Sequence, residues 1–391
     1  MTTELTVDTR PLAYRKDQDR FLQEMFDKRL RKREWGAYQP VSPQEIEERL
    51  TRFLAAQGLE NFSIAELSRL AGGASKEQFL FTLVRPDQDS TERLVLRMDP
   101  TDGVLETSRE REFELLEAMQ GIVPAPKPRF LDRDGEWLRS PSMITTFVQG
   151  TTKPTAGGAG VSGLGTGFNV EWRRRLAPQF MHHLRAIHEF DFRANPLPHF
   201  EIPDADPYQA ARFRVNLWAR VWRESAFAPN PVFAVVESWL RANMPETQEL
   251  VLVHGDFRTG NYLFDEDSGE ITAILDWELA HIGDYHEDLA WSFVEIFGAR
   301  NEQGEYLCSN LMTADEFIGS YENATGRKVD RQILRFYRIL LSWSVVAMAS
   351  NGLTAASRYH NHQDILLTWL SMVCPPLLDE LTRLLLEENA E

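Results

Sequence analysis

The chain carries only two cysteines in 391 residues, Cys308 and Cys374, far apart in sequence. Neither belongs to a CxxC pair or to a Cys/His set with zinc spacing. A disulfide framework and a zinc module are therefore excluded, and free thiols in a reducing compartment are expected. Positive charge is scarce as well: 42 Lys and Arg stand against 59 Asp and Glu, a net charge of −17. A nucleic-acid binder carries the opposite balance, so no nucleic-acid partner is expected. No stretch approaches the roughly 20 consecutive apolar residues of a membrane span. The N-terminus lacks the apolar core of a signal peptide. These absences predict a soluble, cytoplasmic protein with no membrane partner. What is plentiful is core material: 43% of residues are hydrophobic, enough for more than one lobe.

Residues 1–40 read as a helical arm. Within Arg15–Trp35, the residues Phe21, Leu22, Met25, Phe26 and Leu30 share one helical face. That face either docks on the rest of the chain or serves a homodimer, and the basic residues around it also suit an anionic partner. Ser42–Gly58 has the signals of a complete helix: Ser42 as cap, Pro43 in the first turn, Glu45 to close a capping box and Gly58 as stop. Strand-like runs follow on both sides of Gly72-Gly73, at Arg93–Pro100 and at Ser142–Gly150, with a helix at Ser108–Met119 between the last two. "VPAPKPRFL" is extended because of its prolines. The glycine-rich stretch Gly150–Asn169 contains a formal GxGxxG, but no βαβ pattern surrounds it, and a mobile loop over a cleft is expected instead. From Glu171 onward helical patterns dominate. His182, His183 and His188 do not form HExxH, so metal ligation by them is not expected. Strands early and helices late imply two segregated lobes.

The densest polar motif is "HGDFRTGN", His254 to Asn261, directly after the apolar run Leu250–Val253. Beyond it, "NYLFD" and "ITAIL" are joined by the turn-rich "EDSGE" and predict a hairpin. Such a hairpin brings Asp276 back to Asp256 and Asn261, with Arg258 among them. That set suits phosphoryl transfer, which needs positioning and charge neutralisation more than covalent chemistry. Asp256 would accept the proton of an acceptor hydroxyl. Asn261 and Asp276 would hold Mg²⁺, which prefers oxygen ligands. Arg258 would face the transferred phosphate.

His254–Asn261 resembles the catalytic loop of the aminoglycoside phosphotransferase superfamily, which shares the protein-kinase-like fold; the kinase loop HRDxxxxN has the same Asp-to-Asn interval. "LDWE" (Leu275–Glu278) looks like the counterpart of the kinase DFG segment. "IGDYHEDLAW" looks like the pattern that follows it, in which Asp288 would brace the loop. Upstream, "LAGGASKEQFLFTL" resembles the family's nucleotide loop, with Gly72, Gly73 and Ser75 as contacts and Lys76 where asparagine is usual. By the same resemblance, Arg97 stands where many kinases place the ATP-phosphate lysine, Glu112 is its ion-pair partner, and Thr146, Phe147 and Val148 form the hinge that meets adenine. Arg97 in "VLR", the form "HGDFRxGN" and "YENATGRKVD" are most similar to the kinase-like domains related to those fused to acyl-CoA dehydrogenases.

The resemblance implies an α+β, two-lobed kinase-like fold: a small antiparallel-sheet N-lobe over 41–148 and a larger, mainly helical C-lobe over 149–391. It implies ATP and Mg²⁺ as cofactors and a small-molecule hydroxyl acceptor, either an anionic, CoA-linked acyl group or an aminoglycoside. A nucleotide-binding pseudokinase acting through the N-terminal arm is the non-catalytic reading. Arg212, Arg214, Arg220 and Arg223, interleaved with Phe213, Trp218 and Trp222, suit an anionic, partly apolar acceptor. Surface ion pairs with neighbouring glutamates would use the same arginines equally well.

Overall fold

Alternation of apolar and polar residues with a period of two builds the first lobe. Strands β1 (Ser63–Arg69), β2 (Glu77–Arg85), β3 (Ser90–Met98), β4 (Pro128–Asp132) and β5 (Ser142–Thr146) form one antiparallel sheet in the order β1-β2-β3-β5-β4. One face buries Phe79, Phe81, Leu83, Leu94, Leu96 and Met98 against Ile46, Leu50, Phe53 and Leu54. Those four residues belong to the second of two helices named here, α1 (Arg20–Lys32) and α2 (Pro43–Ala56). Each large apolar side chain so buried is worth about 1.5–3 kcal/mol. The register then dictates that Val95 and Arg97 point to the other face. The computed structural model describes residues 17–32, 37–70, 76–100, 103–155, 167–226, 229–358, 367–368 and 371–387. Gly72, Gly73, Ser75 and most of the glycine-rich stretch, residues 156–166, lie outside them.

One local expectation needs correction. Ser42 does cap α2, accepting the Glu45 N–H at 3.1 Å. The reciprocal half of the box is absent, because the Glu45 carboxylate takes Arg49 at 2.9 Å one turn along. The proline-rich segment is extended as read, and its end forms strand β4, Pro128–Asp132. It lies at the edge of the sheet, where a residue without an N–H is tolerated.

The arm helix α1 docks on its own chain. Phe26 is buried in the main core, Asp27 pairs with Arg220 at 2.5 Å, and Asp19, just before the helix, pairs with Arg111 at 3.0 Å.

After α3 (Arg109–Ala118), the second lobe is mainly helical: α4 (Val170–His188), α5 (Gln209–Ser225), α6 (Pro231–Ala242), α7 (His286–Trp291), α8 (Ala314–Thr325), α9 (Arg331–Ser357) and α10 (Cys374–Leu386). Between α6 and α7, β6 (Leu250–Val253) pairs with β9 (His281–Asp284), and β7 (Tyr262–Phe264) pairs with β8 (Ile271–Ile274). Three short strands, β10 (Ala299–Arg300), β11 (Tyr306–Cys308) and β12 (Met312–Thr313), close the region before α8. Helix α9 is long and apolar enough to cross a membrane by length and composition, and 83% of its apolar window is buried inside the protein. It is the central post of this lobe, packed by α5, α6, α7 and α10.

On α10, Glu380 is 1% exposed. Burial pushes its carboxyl up to about 7, with Arg338 pulling the other way. The fold therefore binds a proton that the unfolded chain has released, and this contribution to stability is lost as pH rises from about 4.5 through 7. Glu380→Gln should raise the melting temperature over wild type near pH 8 and give no gain near pH 4, as read by thermal denaturation.

Candidate active site

The site is assembled by the two β ladders of the second lobe. Strand β6, buried at Val251, Leu252 and Val253, pairs its last residue Val253 with His281 of β9 and delivers His254 at its end. Gly255 then turns with φ +83°, and a Cβ at that position would lie 2.5 Å from the Leu279 carbonyl oxygen, so only glycine fits. The β7–β8 hairpin pairs Tyr262 with Ile274, and the Leu275 N–H donates to the Asn261 carbonyl at 2.8 Å. Asp276 is thereby brought back to the loop, as the hairpin reading requires.

Asp276 itself has φ +57° and ψ +55°, the left-handed region that a non-glycine residue seldom adopts. Its neighbours fix it there: Trp277 Nε1 donates to the Ile274 carbonyl at 3.0 Å, and the indole packs on the His254 ring. His254 ties both segments together. Its Nε2–H donates to the Leu275 carbonyl at 2.9 Å, and Nδ1 accepts the Asp256 N–H at 3.2 Å. Burial lowers the His254 pKa and keeps the ring neutral, which this pair of bonds requires.

Asp256 accepts Nδ2 of Asn261 at 2.6 Å, and the same nitrogen reaches the Asp256 carbonyl at 2.8 Å. The nitrogen side of the amide is thus committed, and its carbonyl oxygen is the side left for a cation. Arg258 clasps the Asp256 carboxylate with Nε at 2.7 Å and Nη2 at 3.3 Å, and stacks over Phe297 at 4.0 Å. The sequence reading aimed Arg258 at the transferred phosphate; here opposite charges two residues apart join each other first. Burial pushes the Asp256 carboxyl up to about 6, with Arg258 and Asn261 acting in the opposite direction.

The first lobe contributes Arg97. It pairs with Glu112 of α3 at 2.5 Å and with Asp276 Oδ1 at 3.0 Å. Behind it, Arg109 is fully buried and pairs with Glu112, with Asp99 at 3.0 Å and with Glu278 at 3.2 Å. Lys76 pairs with Asp99 at 3.2 Å and Glu278 at 3.5 Å. Burial opposes ionisation of Glu278, yet Lys76, Arg109 and Arg97 hold its carboxyl down to about 2. Breaking one member of a buried ion network costs about 3–5 kcal/mol, so this cluster sets the geometry where the lobes meet.

Asp288, expected as a brace, is fully buried and accepts the backbone N–H groups of His254 at 2.7 Å and Gly255 at 2.8 Å. Sequence reasoning missed what stands behind it. His188 Nε2 donates to Asp288 at 3.1 Å, and His188 Nδ1 faces the Tyr321 hydroxyl at 2.8 Å. These residues lie 100 and 133 positions from their partners, and no local pattern marks them.

One cleft of about 750 Å³ joins these groups. Arg97, Glu112, Thr146, Phe147, Val148, Asp256, Arg258, Asn261 and Asp276 all line it. Away from the charged end its wall is apolar, with Leu105, Trp291, Ile296, Phe297, Val345 and Met348. A second cavity of similar size lies between α1, α3 and the end of β3, and contains none of the loop residues. The arginines of α5 do not reach the cleft. Arg212 pairs with Asp206, Arg214 with Glu287, Arg220 with Asp27 and Glu224, and Arg223 with Glu237. The ion-pair alternative therefore describes them, and they are not the acceptor's anion contacts.

Among the described residues, no group of three or more His, Cys, Asp or Glu side chains converges as a metal cage. Mg²⁺ is commonly held by one or two protein oxygens together with substrate phosphates. Asn261 and Asp276 supply two such oxygens on one cleft wall, and the Asp276 side chain is 44% exposed.

The sequence profile of the phosphotransferase enzyme family matches residues 66–337. The chain belongs to this family. Curated relatives include mouse acyl-CoA dehydrogenase family member 10, 28% identical over 52% of the chain and 18% of that protein. Human acyl-CoA dehydrogenase family member 11 is 25% identical over 80% of the chain and 39% of that protein. The chain thus spans well under half the length of these relatives. Among solved structures, a Ralstonia eutropha protein assigned to the aminoglycoside phosphotransferases superposes with a TM-score of 0.60 at 20% identity, covering 86% of this chain and 97% of that one. A thermostable mutant of aminoglycoside phosphotransferase APH(4)-Ia, in a ternary complex with AMP-PNP and hygromycin B, gives 0.54 at 16% identity, covering 83% and 96%. At such identities the likeness concerns the fold, and the two-lobed, kinase-like α+β architecture of this phosphotransferase family member is established.

Proposed function

We propose that the chain is an ATP- and Mg²⁺-dependent O-phosphotransferase whose acceptor is a hydroxylated acid or hydroxyacyl-CoA. The observation that carries this reading is the cleft itself, which runs from Asp256, Asn261 and Asp276 directly into an apolar wall. The acceptor hydroxyl oxygen attacks the γ-phosphorus. The new O–P bond forms as the β–γ bridging P–O bond breaks, ADP leaves, and the hydroxyl proton passes to Asp256. Asn261 and Asp276 are the residues that would hold Mg²⁺, which neutralises phosphate charge when bound. Arg97, fixed by Glu112, presents a cation toward the phosphates. At the hinge, the Thr146 and Phe147 N–H groups already donate to the Lys127 and Arg93 carbonyls. That leaves the Val148 N–H as the hinge donor for the purine.

The acceptor class follows from charge accounting. Among the described residues, every carboxylate on the cleft wall has a cationic partner: Asp256 has Arg258, Asp276 and Glu112 have Arg97, and Glu278 has Lys76 and Arg109. A polycationic aminoglycoside would find none of these four uncommitted, whereas an acyl chain matches the apolar wall. The relatives' names, which include acyl-CoA dehydrogenases, point the same way. Steady-state kinetics on 3- and 4-hydroxyacyl-CoA esters of increasing chain length and on kanamycin-type aminoglycosides test the assignment. Each methylene that reaches the wall should raise kcat/KM by roughly fourfold, the equivalent of about 0.8 kcal/mol. Efficient turnover of aminoglycosides with none of the acyl series would sink it.

A further inference from the structure

Lys76 directly follows residues 71–75 in the chain, and its resemblance-based position is one where the side chain would meet the nucleotide. The structure places it elsewhere. The side chain is 2% exposed, and its ammonium donates to the Thr107 hydroxyl at 2.7 Å while pairing with Asp99 at 3.2 Å and Glu278 at 3.5 Å. An ammonium has three N–H donors, and three acceptors surround this one. Nothing remains for a phosphate.

Two of those acceptors are on the first lobe. The third, Glu278, sits in the single helical turn Trp277–Leu279 that begins immediately after Asp276. Because Asp276 holds a left-handed backbone, the direction of its carboxylate depends on where that following turn is pinned. Glu278 is the residue of the turn that reaches across to the first lobe, to Lys76 and to Arg109 at 3.2 Å.

We propose that Lys76 is a positioning residue that couples nucleotide binding on the first lobe to the placement of the metal-binding Asp276, acting through Glu278. Lys76 makes no contact with the reacting atoms. It carries the placement of the strand that starts at Glu77 into the turn behind Asp276, alongside the direct Arg97–Asp276 pair. The departure from asparagine at this position is then a change of role: a short amide is replaced by a cation long enough to reach the other lobe. The proposal rests on the phosphotransfer reading, since it requires Asp276 to hold a metal with a nucleotide.

The test needs no acceptor. AMP-PNP is titrated calorimetrically into wild type, Lys76→Met, Glu278→Gln and the double variant, each with and without Mg²⁺. Wild type should bind AMP-PNP more tightly with Mg²⁺. In each single variant that Mg²⁺-dependent gain should fall by roughly tenfold, within the range typical of coupling between sites. Metal-free affinity should stay within about twofold, and the double variant should be no worse than the worse single one. Glu278→Gln is nearly isosteric, so it reports on the coupling even if Lys76→Met does not fold, and thermal denaturation identifies that case. A wild-type gain retained in Glu278→Gln, or losses that simply add in the double variant, would overturn the coupling alone. Failure of wild type to bind AMP-PNP with Mg²⁺ would overturn the phosphotransfer reading and this proposal together.

Discussion

Asp256→Asn should lower kcat by about 10² to 10⁴ while leaving nucleotide affinity nearly unchanged. The amide keeps the shape of the side chain and can still meet Asn261, but it cannot accept the acceptor's proton. The structure adds a pH signature. The base works as the carboxylate, and burial raises its pKa to about 6. The kcat/KM of wild type should therefore fall as pH drops through about 6, because the free enzyme's base becomes protonated. The Asn variant should show its residual rate without that acid limb. Single-turnover measurements across pH on both proteins provide the check. Near-normal turnover in the variant would remove Asp256 from this role.

Asp276→Ala should raise the Mg²⁺ concentration needed for half-maximal activity more than Asn261→Ala does. A carboxylate brings a full charge to the cation, whereas an amide oxygen brings only a dipole. Losses on the order of 10- to 100-fold are expected for Asp276, the range seen when groups that shape a metal site are removed. The Asp276 change has a second consequence. Arg97 loses one of its two carboxylate partners but keeps Glu112 at 2.5 Å, so this cation of the first lobe stays anchored. Metal-free nucleotide binding should accordingly survive in Asp276→Ala. Identical Mg²⁺ titration curves for both variants and wild type would refute the ligand assignment.

The parts of this site that were legible in sequence are those with local causes. Gly255 and Gly260 mark positive-φ turns, and the hairpin around "EDSGE" fixes where Asp276 returns. A two-residue period places Arg97 opposite Leu96 and Met98 before any coordinates are seen. The parts that were not legible depend on partners remote in sequence. Nothing near Arg214 announces Glu287, 73 residues on, so the α5 arginines looked available when they were already paired. His188 looked like an ordinary helical histidine because Asp288 and Tyr321 are 100 and 133 residues away. The orientation of Arg258 was also beyond sequence. Both a phosphate and Asp256 are acceptable partners, and only the turn geometry brings Nε to 2.7 Å from the carboxylate. The pairing of β9 with β6 escaped because "HIGD" carries little strand signal apart from its partner.

In the proposed reaction this cleft moves a phosphoryl group from ATP to a hydroxyl on an apolar acyl acceptor. The most direct test is to incubate the protein with ATP, Mg²⁺ and a 4-hydroxyacyl-CoA ester and to determine the product's structure by phosphorus NMR and mass spectrometry. The expected product is a phosphate monoester on the acyl hydroxyl, formed in step with ADP and absent with Asp256→Asn. Release of ADP with inorganic phosphate and an unchanged acyl ester would contradict it, as would a monoester found only on aminoglycosides.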